Sequence, residues 1–176
     1  MFGTFDKSHV GLHMNSVLSE NLYTSFPRIY RGRRKSKYES GMCWGFECGD
    51  GWYQLLYDLS QELESYLAVH PDLDFDVVQV KAKAGSLRFR LNGRDAAVLE
   101  MVARAERRAD TMCELCGKPG RLYGHIVPGP PIVLCDEDAA TFRLAGSAQA
   151  GEDVACLQMQ AIGHPYVQGV SNESKH

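Results

Sequence analysis

Three cysteines and an acid carry the most specific chemistry in this chain. Cys113-Glu114-Leu115-Cys116 sets two thiols three positions apart, and Cys135 follows beyond Gly117, Gly120 and a Pro-rich loop. Thiols at that spacing can point at one ion across a tight turn, with Gly117 relieving the backbone where amides face the sulfurs. Zinc suits them, because it takes thiolates at about 2.3 Å in tetrahedral geometry. With Cys135 as third ligand, the fourth falls to Asp138, three residues on, or to His125 in the preceding loop. A site left incomplete, its fold surviving through packing, is the remaining alternative. A thiolate-rich zinc is expected to be structural, since a catalytic zinc keeps a position open for water. Its binding energy then becomes folding energy. The redox use of C-x-x-C goes with a βαβ setting that this region lacks.

Positioning those ligands requires particular elements. Arg121-Leu122-Tyr123 and Ile132-Val133-Leu134 read as two short strands joined through the loop 127–131, which returns the chain to Cys135. Asp136 to Arg143 then reads as a helix with Cys135 near its N-terminus. Knuckle, hairpin and helix make a treble-clef-like zinc knuckle over 113–138. Upstream, apolar residues at 52, 55, 56, 59, 63, 66 and 67 fall at helical spacing. Asp50 is the expected N-cap of that helix, and His70-Pro71 its end. Phe75 to Lys83 and Leu87 to Leu91 alternate as strands of a hairpin turned at Ala84-Gly85-Ser86, with Arg88 and Arg90 on its outer face. Arg94 to Arg108 reads as a second helix.

The expected fold class is therefore α+β: a small antiparallel hairpin or sheet packed on two helices, with the knuckle attached. Residues 1–40 read as a flexible basic arm, 41–146 as the α+β domain, and 147–176 as a loosely packed tail. Trp44 and Trp52 are expected in the core. Cys43 and Cys48 are expected as small, semi-buried residues rather than a second metal pair.

Bulk composition limits the function classes. The 176 residues are 44% apolar and 23% charged, ordinary for a globular protein. No apolar run approaches the roughly 18 residues of a membrane span, and Met1 to Asn15 lacks the apolar core of a secretory leader, so the expected compartment is the cytoplasm. A net charge of −3 does not itself point to nucleic acid. The cations are unevenly spread, however, with a run at Arg28, Arg31, Arg33, Arg34, Lys35 and Lys37 and a second set at Lys81, Lys83, Arg88, Arg90 and Arg94. Arg31, Arg33, Arg34, Arg88 and Arg90 are the candidate partner contacts. No phosphate loop, nucleophile elbow or dinucleotide fingerprint is present.

The run Trp44-Gly45-Phe46-Glu47-Cys48-Gly49-Asp50-Gly51-Trp52-Tyr53 resembles the signature of a family of small phage and prophage proteins. Val78 to Phe89, Cys113 to Leu122 and Leu134-Cys135-Asp136-Glu137 resemble it in the same order, so the likeness covers about residues 23–140. That family's closing motif usually ends in His, where this chain has Asp138. The resemblance implies a mobile-element origin and an accessory role in host takeover or counter-defence. The function expected from it is a non-catalytic binding protein that blocks a host protein or nucleoprotein complex, for example an inhibitor of a CRISPR-type defence. One alternative is a degenerate nuclease, because Gly124-His125-Ile126-Val127-Pro128 resembles the His-x-x-Pro stretch of HNH enzymes. There His125 would activate water beside a metal-held phosphate. The other is a zinc-stabilised nucleic-acid-binding module.

Overall fold

The segment before residue 40 departs first from expectation. In the computed structural model, which describes residues 12–124 and 130–141, helix α1 spans Ser16–Ser25 and is capped by Asn15, whose side chain accepts from the Val17 amide at 2.8 Å. Leu22, Phe26, Ile29 and Tyr30 are buried in the same core as Phe46 and Trp52. The Tyr30 ring meets Tyr23 and Phe46 edge-on, with centroids 5.8 and 5.2 Å away. Its hydroxyl lies 2.7 Å from that of buried Ser60. The flexible arm expected over 1–40 is thus not what residues 12–40 form. Four large apolar side chains regain more by leaving water, at about 1.5–3 kcal/mol each, than a loose segment would keep in entropy.

Strand β1, Phe46–Glu47, leads through a 3-10 turn at Asp50–Trp52 into helix α2, Tyr53–Val69. Helix α2 buries Leu55, Leu56, Leu59, Leu63 and Leu67, the stripe its spacing predicts. The cap does not follow the expectation. Trp52 occupies the N-cap position without a side-chain bond, and Asp50 instead accepts from the Asn15 amide at 2.6 Å. Asp50 therefore ties the start of α1 to the start of α2.

Strands β2, Val77–Lys83, and β3, Ser86–Leu91, form the expected hairpin. Ala84 and Gly85 both take positive φ, 53° and 79°, the backbone of a two-residue turn matched to strand twist. Strand β1 adds to the far side of β2 in parallel, giving the order β1-β2-β3. Leu87 and Phe89 face inward and Arg88 and Arg90 outward. Helix α3, Ala96–Ala109, is capped by Asp95, which accepts from the Val98 amide at 3.0 Å, and it packs on α2 and β3. Trp52 is fully buried, as expected; Trp44 is 61% exposed and is not core. Cys48 is buried and Cys43 exposed. Strands β4, Arg121–Tyr123, and β5, Ile132–Leu134, pair antiparallel with the anticipated limits. Residues 136–141 are helical. His125, most of the loop 127–131 and the tail 147–176 lie outside the described residues. No helix among the described residues is long and apolar enough to cross a membrane.

Candidate metal centre

The C-x-x-C turn follows directly from the end of α3. Its backbone closes on itself: the Gly117 amide donates to Cys113 O at 2.9 Å, and the Cys113 amide to Lys118 O at 2.8 Å. Gly117 sits at φ 76°, the left-handed conformation that favours glycine. The Glu114 amide donates to Val133 O at 2.9 Å, joining the turn to β5. Pairing of Arg121 with Leu134 across the β4–β5 hairpin then brings Cys135 beside the turn. The Ala139 amide donates to Cys135 O at 2.9 Å, the first bond of a helical turn. That turn puts Asp138 on the same side as Cys135, as residues three apart on a helix must be.

The four ligand atoms of Cys113, Cys116, Cys135 and Asp138 lie within 4.8 Å of one another and could bind a metal ion. The sulfurs of Cys116 and Cys135 are 3.7 Å apart, close to the ~3.8 Å edge of a tetrahedron with 2.3 Å metal–sulfur bonds. The thiols of Cys113 and Cys135 each donate to Oδ2 of Asp138 at 3.1 Å. The amide of Asp138 points at the Cys135 sulfur, 3.4 Å away, as backbone donors do around a bound thiolate. Hydrogen bonds from the three thiols hold the Asp138 carboxyl below its ordinary range. Burial raises the Cys113 thiol. Three thiols gathered on one carboxylate are arranged as a divalent cation would want them, since a cation would displace their protons and bind the thiolates. Among the described residues this is the group that converges; His125, the competing ligand, falls outside them.

The stretch Gly49-Asp50-Gly51-Trp52 has a role that sequence reasoning missed. The Gly51 amide donates to Glu114 O at 2.9 Å, and the Gly49 amide to the Glu114 carboxylate at 3.1 Å. Trp52 Nε1 donates to Met112 O at 3.0 Å. A Cβ on Gly49 or Gly51 would overlap the backbone of Glu114 or Cys113. The two glycines therefore form a cradle in which the knuckle sits against the start of α2. Glu114, between the two ligand cysteines, is buried, and burial raises its carboxyl. The available signal was two glycines flanking Asp50 just ahead of Trp52, a stretch that local reading used only for its Asp50 cap.

The basic candidates divide into two groups. Arg31 pairs with Asp74 at 2.7 Å and Asp76 at 3.6 Å. Arg33 pairs with Glu20 at 3.0 Å and lies 4.5 Å over the Tyr23 ring. Lys35 reaches Asp76, whose side chain is fully buried, at 2.9 Å. Arg31 and Lys35 fasten the first segment to the body, while Arg33 pairs within that segment, with α1. Arg34 is exposed. Arg88 and Arg90 are exposed on β3 and enter no ion pair among the described residues. Set against protein-family models, curated proteins and solved structures, the chain matches none of them, so this centre is read from its own geometry.

Proposed function

We propose that the chain is a non-catalytic binding protein stapled by one structural zinc on Cys113, Cys116, Cys135 and Asp138. The observation that carries this reading is the convergence of four protein donors within 4.8 Å. A complete tetrahedral set leaves no position for water or substrate, so the ion contributes folding energy. The knuckle it closes has its own small apolar cluster of Cys113, Leu134, Cys135 and Ala139 and is tied to the segment leading into α2 through Glu114. Function is then carried by surfaces away from the ion. The resemblance to small phage proteins supports the finer version, an accessory protein that docks on a host protein or nucleoprotein complex in the host cytoplasm and blocks it, as an anti-CRISPR-like inhibitor would.

Metal analysis of the purified chain tests the staple. One zinc per chain is expected, with chelation lowering the melting temperature. Asp138→Ala should weaken zinc by on the order of 100-fold, roughly one ligand's share of the total, and Asp138→His should strengthen it. A metal-free protein that melts at the same temperature with and without chelator would overturn the reading.

A further inference from the structure

We propose that the outer face of the β1-β2-β3 sheet binds the phosphate backbone of single-stranded nucleic acid through Lys81, Lys83, Arg88 and Arg90. This deepens the binding-protein reading and rests on it. The register sets Lys81 directly opposite Arg88, Gln79 opposite Arg90, and Lys83 opposite Ser86. Directly opposed residues share a face, so all four cations point the same way. Like charges placed opposite each other destabilise a sheet, and no ion pair among the described residues offsets these. The run around Arg31, Arg33 and Lys35 shows the contrary pattern, each cation answered by an acid. Glu47, registered beside Lys81, is the acid on this face, and its carboxylate accepts from Gln79 at 3.3 Å. The face is thus net positive in a chain of net charge −3. Such segregation costs folding energy and is repaid only by an anion.

Two features favour a nucleic-acid strand over an acidic protein. Cations two residues apart along a strand stand about 7 Å apart, which suits neighbouring phosphates of an extended chain. The 3-10 turn Gly41–Trp44 also lies against this face, where a Cβ on Gly41 would stand 3.3 Å from the Gln79 side chain. It carries Trp44, 61% exposed, an aromatic surface on which a base can stack.

Fluorescence anisotropy of the zinc-loaded full chain with a labelled oligothymidine is the test, with the matching duplex and poly-glutamate as competitors. Binding is expected to weaken with salt at a log–log slope of about −3, from four contacts at ~0.7 each. Arg88→Gln with Arg90→Gln should halve that slope and weaken binding at least tenfold at about 50 mM salt. Trp44→Ala should weaken it by roughly 5- to 100-fold. Removing Arg88 relieves the opposition to Lys81, so the double variant should melt no lower than the parent. Oligothymidine binding that is absent, or unchanged in the double variant, overturns the proposal. So does displacement by poly-glutamate at lower concentration than by unlabelled oligothymidine, which would assign the face to an acidic protein, or a preference for the duplex. Any of these failures, with zinc content and melting intact, leaves the staple standing; failure of the staple is read by metal analysis instead.

Discussion

Gly51→Ala should break the joint between α2 and the knuckle. A Cβ at this position would overlap the carbonyl oxygen of Cys113 and stand 2.5 Å from Gly117 N and 2.7 Å from Cys116 N. All three atoms belong to the backbone of a turn closed by its own hydrogen bonds, so no rotamer change relieves the clash. Overpacking that side chains can absorb costs about 1–3 kcal/mol. Here the turn must move as a body, and the Gly51–Glu114 and Trp52–Met112 hydrogen bonds go with it at ~1 kcal/mol each. The expected loss is about 3–5 kcal/mol, a large share of the 5–15 kcal/mol that holds an ordinary domain together. A melting temperature lower by roughly 6–20 °C follows. Zinc affinity should fall as well, because Cys113 and Cys116 move with the turn. Urea midpoints of the zinc-loaded proteins read the effect, with Gly124→Ala as control. Among the described residues, a Cβ at Gly124 meets nothing within 4 Å, so that variant should stay within ~0.5 kcal/mol of the parent. A Gly51→Ala protein as stable as the Gly124→Ala protein would refute the cradle.

Two further outcomes can be checked on the same instruments. Trp52→Phe empties part of a fully buried site and leaves Met112 O without its 3.0 Å donor; a loss of roughly 2–4 kcal/mol in the urea midpoint is expected. The Asp74 carboxyl is held below its ordinary 3.8 by the hydrogen bond and then the charge of Arg31. The unfolded chain therefore binds more protons in the interval just below 3.8, so stability rises with pH there. Asp74's contribution is fully present above that value and is lost as pH falls through the depressed folded value. Asp74→Asn should flatten that acid limb of the urea midpoint, and an unaltered limb would show that the pair does not persist in solution.

Much of the local structure was legible because it depends on neighbours in sequence. The stripe from Trp52 to Leu67 specifies a helix by period, and Leu87-Arg88-Phe89-Arg90-Leu91 specifies a strand with its faces already sorted. Limits of β4 and β5 could be read because Gly and Pro bound two short apolar runs. Asp50 misled for the same reason. Its position suits a cap, but it bonds to Asn15, 35 residues away, and no local pattern encodes that distance. Trp44 misled through its residue type: a Trp is usually buried, yet this one stands outside the core.

The ligand set shows the same division. Cys113, Cys116 and Cys135 could be named from types and spacing, because a knuckle is a local object that needs two thiols across one tight turn. The choice between Asp138 and His125 could not be made that way. Hairpin register, together with the helical turn after Cys135, brings the Asp138 carboxylate to 3.1 Å from two of the sulfurs. The first segment shows it at larger scale. Its basic run looked like a free arm, and only packing could reveal that Arg31, Arg33 and Lys35 are answered by Asp74, Asp76 and Glu20. Sequence alone determined the two longer helices, the two hairpins and the clustering of the three cysteines, because period, turn residues and residue type act over a few positions. The tertiary fold decided that Asp138 stands beside the three sulfurs, what Gly49 and Gly51 pack against, and which cations among the described residues enter no ion pair, because those depend on distances between residues far apart in the chain.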